Sequence, residues 1–200
     1  MTRELEIAAF AALLPGMEPD LGRVAAPARR RLSPLQKVFF ALASQVETER
    51  TDNTVFASRY GEISLTRRLV ADFNADGSVS PNRFSTSVYN AAPGLWSVAT
   101  KNAAPYTAVA AGTDTIECGF LELLSDPVRQ LYVYAEEDPC SCGFAILFGP
   151  HGTRRVRLST HAVRTDSAPL AFDAVHAFLS GTCPRIEGRY LTLEDAPPCA

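Results

Sequence analysis

The most specific pattern of chemically useful residues lies between a predicted strand, residues 106–110, and a predicted helix. The junction, residues 111–113, reads Ala-Gly-Thr, and Asp114 with Glu117 has the spacing of a capping box that opens the helix. Such junctions often carry a nucleophile or an anion site, because the free amides and the dipole of the helix favour negative charge. The best nucleophile here is Thr113, and the pattern is too short to indicate a phosphate-binding loop.

Histidine most simply serves as an acid or base near neutral pH, and the chain has three histidines. One catalytic hypothesis uses His151 or His161 as the base and Glu62 or Asp114 as the carboxylate that orients it. Glu62 follows a predicted strand, where it either lines a cleft or caps the next helix. His176 lies beside predicted core positions of a helix and is more typical of a half-buried spacer. None of these residues lies in a recognised catalytic spacing.

The cysteines do not indicate a disulfide framework or a metal centre. Five is an odd number, and reduced thiols are the expectation. Cys140 and Cys142 form a Cys-Ser-Cys sequence that would need two further ligands to hold zinc, and no obvious pair lies nearby. We therefore predict no metal and no cofactor.

The composition limits the classes of protein. The 200 residues are 46% hydrophobic and 20% charged, with a formal net charge of -3, which is typical of a globular domain and gives no reason to expect nucleic acid as a partner. No apolar run reaches the ~20 residues of a membrane span, and the apolar N-terminal stretch follows two glutamates rather than a basic segment. A cytoplasmic location is the resulting expectation.

Apolar periodicity and turn signals give the elements of the first half of the chain. Residues 1–24, rich in Ala and Pro, predict an irregular lead-in. Ser33-Pro34 opens the first clear helix, residues 54–57 predict a buried strand, and the helix after it carries Leu65, Leu69 and Phe73 on one face. Further on, Phe84, Val88, Ala91, Leu95 and Val98 share a face, but Pro93 favours two shorter helices or a kink.

The second half predicts more strands than helices. Residues 128–135 and 143–148 are apolar runs that indicate neighbouring antiparallel strands, and residues 155–159 alternate like a third strand with one solvated face. A helix with Phe172, Val175 and Leu179 on one side follows, and the region after Gly181 holds one more strand. We therefore predict one α/β domain over residues 25–195, with a mixed sheet packed between helices, and a tail over residues 196–200.

Part of this sequence resembles a known family. The pattern SP-x-x-F-x-x-SV-x-N-A-x-x-G resembles the N-terminal half of β-ketoacyl synthases, and it consists here of Ser80, Pro81, Phe84, Ser87, Val88, Asn90, Ala91 and Gly94. Residues 55–62 are similar to the segment that precedes it in short bacterial proteins of type II fatty-acid or aryl polyene pathways. The resemblance covers roughly residues 25–160 and implies half of a thiolase-like fold.

The resemblance also implies where a nucleophile would stand. In full ketosynthases the strand leads into a junction with the cysteine that accepts an acyl chain from acyl carrier protein. Matching strand and junction places Ala111 at that position, and a methyl group cannot form a thioester. Cys118 lies about two helical turns further on, displaced by ~10 Å along the axis, and is no substitute.

The resemblance therefore favours a non-catalytic subunit of chain-length-factor type, paired as a heterodimer with an active ketosynthase of fatty-acid, polyketide or aryl polyene synthesis. It implies an interface at residues 106–110, with Phe84, Leu95 and Trp96 near it unless they are simply core. The remaining substrate or interface candidates are Asn90, Tyr106, Ala111 and Thr113. Two alternatives stay open: a stand-alone enzyme on acyl thioesters that uses His151 or His161, and a binding module for an acyl chain or for acyl carrier protein.

Overall fold

Eight strands form one mixed sheet in the computed structural model, which describes residues 1–47, 50–125 and 129–196. The strands are β1 (Thr2–Leu13), β2 (Asn53–Ala57), β3 (Tyr106–Val109), β4 (Gln130–Glu136), β5 (Cys142–Phe148), β6 (Arg154–Thr160), β7 (Arg185–Glu187) and β8 (Leu191–Asp195). The helices within these ranges are α1 (Ala26–Arg29), α2 (Pro34–Val46), α3 (Ile63–Asp76), α4 (Pro81–Thr86), α5 (Ala91–Thr100), α6 (Thr115–Glu122) and α7 (Phe172–Leu179). The order across the sheet is β3-β2-β4-β5-β1-β6-β8-β7.

The only parallel pairings within the described part of the sheet join β2 to its two neighbours, β3 and β4. The chain reaches each of these strands after crossing a face of the sheet through helices, as parallel neighbours require. β4 and β5 form the antiparallel pair that the sequence predicted. The carboxyl ends of β2, β3 and β4 therefore lie side by side at the same end of the strands. β3 is the outermost strand of the sheet.

Helices cover both faces of the sheet, as the alternation of apolar residues requires. Val55 faces the cluster that contains α6 and α7, whereas Phe56 faces the cluster that contains α2 and α5. α2 begins with the predicted Ser33 cap, which forms a full capping box with Gln36. The predicted mixed sheet between helices is confirmed.

The irregular lead-in expected over residues 1–24 is wrong for residues 2–13, which form β1 between β5 and β6. Leu5 and Ile7 point into the core, while Glu4 and Glu6 lie opposite Arg157 and Arg155 of β6 and pair with them at 3.0 and 3.3 Å. The alternation of apolar and polar residues in this stretch is typical of a strand. The prediction was wrong because the irregular region indicated by the prolines and glycines of residues 15–27 does not extend to the N-terminus. Those residues form the connection to α1 and α2 instead.

The helical region around Pro93 forms two helices, as expected. The apolar face predicted for this region is not buried as a whole. α4 and α5 are separate, and Pro93 lies in the first turn of α5, where its missing N–H is no loss. Phe84 and Val98 are 60% and 77% exposed, so they are not core residues. The face predicted for α3 is also largely outside the core, since Leu69 is buried but Phe73 is 56% exposed. α3 and α4 lie outside the two layers that cover the sheet.

The C-terminal region holds two strands, β7 and β8, where the sequence predicted one. They form a hairpin whose loop, residues 188–190, reaches α6. α7 is as expected, with Val175 and Leu179 buried and Phe172 packed against the same cluster.

Val128, which was expected to open β4, lies outside the described residues, as do Cys199 and the predicted tail after Ala196. None of the described helices has the length and apolarity that crossing a bilayer needs.

Candidate functional site

The candidate site lies where the three parallel strands end. Ser58 follows β2, Ala110 and Ala111 follow β3, and Glu136 is the last residue of β4. The loop after β2 and the junction after β3 are therefore neighbours, although about 50 residues separate them in the chain. Three side chains fix these loops to one another.

The first is Glu136, which anchors the loop after β2. Its buried carboxylate accepts hydrogen bonds from Ser58 Oγ at 3.1 Å, from the Tyr60 amide at 3.4 Å and from the Arg59 amide. Burial raises the pKa of Glu136, and these hydrogen bonds lower it in part. Ser58 Oγ also accepts from the Gly61 amide at 3.0 Å, which stabilises the turn into α3.

The other two side chains link this loop to the junction. Arg59 Nε donates to the carbonyl oxygen of Gly112 at 3.0 Å. The Tyr89 hydroxyl donates to the carbonyl oxygen of Val109 at 2.8 Å and accepts from the Ser58 amide at 3.1 Å. Burial is the main reason that the pKa of Tyr89 is well above its usual value, so the phenol stays protonated and keeps donating.

The junction itself is a sharp turn from β3 into α6. Gly112 has φ 57° in the left-handed region, which a residue with a side chain rarely occupies. Thr115 is the side chain that holds the turn, because its hydroxyl accepts from the Ala111 amide at 2.9 Å and donates to the Gly112 carbonyl at 2.8 Å. The predicted junction is present, and Ala111 is half-buried within it.

The capping box predicted for Asp114 and Glu117 is wrong, because Asp114 makes no capping hydrogen bond. Asp114 pairs with Arg189 at 2.9 Å and lies 3.4 Å from the Tyr190 hydroxyl. The fully buried Glu117 carboxylate accepts from the amides of Leu170 at 3.0 Å, Arg189 at 3.1 Å and Tyr190 at 2.8 Å. Both carboxylates therefore serve the loop between β7 and β8 rather than their own helix.

Glycine is required where that loop closes over α6. A Cβ at Gly188 would overlap the carboxylate of Glu117. Sequence spacing could not reveal this contact, since it joins residues about 70 positions apart. The only local indication that Glu117 is buried is its position between Ile116 and Phe120, two apolar residues of α6 that are also buried.

A cavity of about 200 Å³ opens beside the junction. Its wall includes Thr113, Tyr60 and Phe172, together with the thiols of Cys140 and Cys142. Burial, and next the neighbouring Cys140, raise the pKa of Cys142 to about 12, so its thiol is neutral and a poor nucleophile near pH 7. A space of this size holds about seven water volumes, which suits a small polar group rather than a long acyl chain.

The described cysteines are free thiols, and residues 1–47, 50–125 and 129–196 contain no cluster of three or more ligating side chains that could hold a metal ion. Burial also raises the pKa of Cys118, which lies half-buried on α6. The pKa values of Cys118 and Cys142 are therefore both raised, which favours the neutral thiol over the thiolate.

The residues expected near an interface divide between surface and core. Tyr106 on β3 is 38% exposed, and Asn90 and Thr113 are exposed. Trp96 is core, since its ring lies 5.1 Å from that of Phe40 and its Nε1 donates to Glu47. Leu95 is half-buried against the same cluster. The structure therefore brings Ala111 and Thr113 together at the junction. It places the others on α4, α5 and β3, apart from Asn90, which directly precedes α5.

The histidine and carboxylate pairs of the catalytic hypothesis do not form. His161 has Nε2 2.9 Å from Thr192 Oγ1 and Nδ1 3.3 Å from the Arg189 carbonyl, and it bonds neither Glu62 nor Asp114. His151 lies at the opposite end of the sheet, in the turn between β5 and β6.

Glu62 precedes α3 and does not cap it with its side chain. The residue is buried, its Oε1 accepts from Gln36 Nε2 at 2.8 Å, and its Oε2 has no hydrogen-bond partner. Burial raises the pKa of Glu62 to about 7. Glu62 therefore links α2 to the start of α3, and a substantial fraction of its carboxyl groups is protonated at neutral pH.

Comparison with known proteins identifies the family. Residues 9–167 match the model described as β-ketoacyl synthase, N-terminal domain, and the chain belongs to this family. No curated protein matches the chain.

Solved structures agree with this assignment at the level of the fold. A chain of the structure titled "Ketosynthase (ApeO) in Complex with its Chain Length Factor (ApeC) from Xenorhabdus doucetiae" is 18% identical, with a TM-score of 0.78, over 97% of this chain and 100% of that chain. "The ishigamide ketosynthase/chain length factor" is 14% identical, with a TM-score of 0.55, over 76% of this chain and 55% of that chain. The expected half of a thiolase-like fold is confirmed.

Proposed function

We propose that this chain is a non-catalytic ketosynthase-like subunit, of chain-length-factor type, that pairs with an active β-ketoacyl-acyl-carrier-protein synthase and helps shape its acyl tunnel. Membership of the ketosynthase family supports the proposal. The two similar structures are titled as ketosynthase and chain length factor assemblies, which also supports it. The pathway that fits best is the synthesis of a fatty acid, a polyketide or an aryl polyene.

The observation that carries the proposal is Ala111 at the end of β3. The turn from β3 into α6 is held by hydrogen bonds of Thr115 and Arg59, and the side chain at the position that the family resemblance assigns to the nucleophile is a methyl group. Cys142 is a neutral thiol on another strand, and Cys118 lies further along α6. Under this proposal, acyl transfer takes place on the partner.

The proposed interface is the outer edge of β3. The carbonyl oxygens of Pro105 and Val109 accept from β2, so by the two-residue period of a strand Tyr106 and Ala108 turn their backbone groups away from β2. An open edge of this kind is a template for pairing with another chain. The exposed rings of Tyr106 and Phe84 would add apolar contacts with the partner.

Ala108→Pro tests this interface directly. Proline at this position removes an N–H that points away from β2, and edge strands tolerate proline. Glu187→Pro is the matched control, because the bonds of Pro184 and Gly188 to β8 place the Glu187 N–H on the opposite edge of the sheet. Both variants are co-expressed with the active ketosynthase encoded nearest to this chain, and the complexes are measured by size exclusion with light scattering.

The expected result is a one-to-one heterodimer for the parent chain and for Glu187→Pro, and separate elution for Ala108→Pro. Separate elution of the two parent proteins at micromolar concentration would reject the proposal. A homodimer that binds loaded acyl carrier protein without any ketosynthase would favour the binding-module alternative. Turnover of acyl thioesters that is lost in His151→Ala or His161→Ala would favour a stand-alone enzyme.

A further inference from the structure

A groove at the opposite end of the sheet from the junction gathers basic side chains that the proposed function does not use. We call it the basic groove: Arg3, Arg50, Arg129 and His151 line a cavity of about 740 Å³. They come from β1, from the segments before β2 and β4, and from the turn between β5 and β6. Four distant parts of the chain thus place basic groups around one space.

Two of these arginines are positioned by one hydrogen bond each. Arg3 Nη1 donates to the Leu123 carbonyl at 2.7 Å, and Arg50 Nε donates to Asn102 Oδ1 at 2.9 Å. A guanidinium has several further N–H donors. Arg50 is exposed, and its terminal nitrogens make no hydrogen bond within residues 1–47, 50–125 and 129–196. Its outer edge is therefore oriented and available to an acceptor.

The turn that carries His151 is closely packed against its neighbours. His151 has φ 70°, a left-handed conformation that few residues other than glycine adopt. The Gly152 amide donates to Glu6 Oε2 at 3.2 Å, and a Cβ at Gly152 would overlap β1. At Gly149 a Cβ would come within 3.1 Å of Arg129 Nε. The two glycines let the turn approach β1 and Arg129, with His151 exposed on the wall of the groove.

The carboxylates that also line the groove are already engaged. Glu4 pairs with Arg157 at 3.0 Å and Glu6 with Arg155 at 3.3 Å, and neither of those arginines lines the groove. Asp52 accepts from the backbone amide of Arg129 at 3.2 Å. Two of the three carboxylates therefore pair with arginines outside the groove, and the third is held by a backbone amide. Arg50 has no ion pair within residues 1–47, 50–125 and 129–196.

We propose that the basic groove binds the phosphate group of a small molecule. Guanidinium groups match the geometry of phosphate oxygens, and the volume lies within the range of small-molecule sites. Free phosphate or pyrophosphate and the phosphate of a nucleotide-sized ligand share this chemistry. The groove lies at the other end of the sheet from the junction, and none of its lining residues belongs to β3, although Arg50 bonds Asn102 just before that strand. Its chemistry does not depend on the subunit role proposed above.

Calorimetric titration of the purified chain with inorganic phosphate, pyrophosphate and ADP tests the proposal. Arg50→Gln changes an exposed side chain, so the fold should survive, and we expect it to weaken binding about tenfold, as the loss of a charged hydrogen bond does. His151→Gln is the second groove variant. Arg68→Gln, on the exposed surface of α3, is the control and should bind like the parent chain.

The ligands distinguish the source of the phosphate. Equal affinity for pyrophosphate and ADP indicates that the site recognises the phosphates alone, and tighter binding of ADP indicates that the groove also holds the organic part. The proposal is overturned if none of the three ligands gives saturable binding in the millimolar range. It is also overturned if Arg50→Gln and His151→Gln both bind as tightly as Arg68→Gln.

Discussion

The backbone amide of Tyr190 donates a 2.8 Å hydrogen bond to the carboxylate of Glu117, and this contact ties the hairpin of β7 and β8 to the helix that follows the junction. The amides of Leu170 and Arg189 donate to the same carboxylate. A buried carboxylate with three backbone donors organises the chain around it. Glu117 therefore fixes α6 to the hairpin of β7 and β8 and to the segment before α7.

Glu117→Ala should destabilise the protein by about 3 kcal/mol or more, because it leaves buried amides without an acceptor. Glu117→Gln should have a smaller effect, since one oxygen acceptor remains. The free energy of urea unfolding measures both. Glu122→Gln, an exposed position on the same helix, is the control, and equal stability of Glu117→Ala and Glu122→Gln would contradict the assigned role.

Glu62→Gln should remove a pH dependence of stability. The pKa of Glu62 is about 7 in the folded chain and 4.5 without burial, so between these pH values the folded state holds a proton that the unfolded state has released. The contribution of this group is thus fully present below pH 4.5 and is lost as the pH rises through 7, by about 3 kcal/mol.

The amide side chain stays neutral, so Glu62→Gln should be the more stable protein at pH 8 and should differ little from the parent at pH 4.5. Thermal unfolding across this range checks the difference between the two proteins. Exposed Glu18→Gln should keep the parent profile. A constant difference between Glu62→Gln and the parent at every pH would exclude the titration.

Ala111→Cys should create a reactive thiol at the junction. The N-terminal amides of α6 favour a thiolate, whereas burial keeps Cys118 and Cys142 protonated. We expect iodoacetamide at pH 7 to label position 111 faster than either of these cysteines, as followed by peptide mass spectrometry. Ala110→Cys, one residue earlier, is the comparison, and equal labelling at 110 and 111 would argue against a nucleophile-equivalent position.

Glu137→Ala should destabilise the protein by about 1–2 kcal/mol, because Glu137 serves the first turns of two helices. Its Oε1 accepts from the Ser64 amide at 2.7 Å, and its Oε2 accepts from the Leu35 amide at 3.0 Å. The adjacent Asp138→Ala breaks only an exposed ion pair with Arg67 and should change stability by less than about 0.5 kcal/mol. Chemical unfolding of the two variants side by side decides between the two roles.

Local patterns were enough to predict the elements around the site. The Ser33 cap, the strand over residues 54–57 and the turn after residue 110 follow from residue types within a few positions of one another. They determine where α2, β2 and the junction begin.

Long-range contacts were not accessible in this way. Asp114 and Glu117 have the spacing of a capping box, yet each bonds a loop about 70 residues away, which no local pattern contains. The two histidines were considered for catalysis because of their type alone. In the structure His161 bonds Thr192 and the Arg189 carbonyl, and His151 lies in the turn between β5 and β6. Exposed apolar residues such as Phe84 recur with the period of a buried helix face. They are exposed because α3 and α4 lie outside the two helical layers that cover the sheet, which the sequence pattern does not reveal.

The position of β1 between β5 and β6 also governs how the chain can fold. β1 leaves the ribosome before its neighbours exist, and its partners, such as Val156 opposite Leu5, follow only after most of the domain has been synthesised. Until then its apolar residues stay uncovered, and closing so long a loop is slow. The sheet is therefore completed late, and the apolar residues of β1 stay exposed for longer than they would in a protein with local strand pairing.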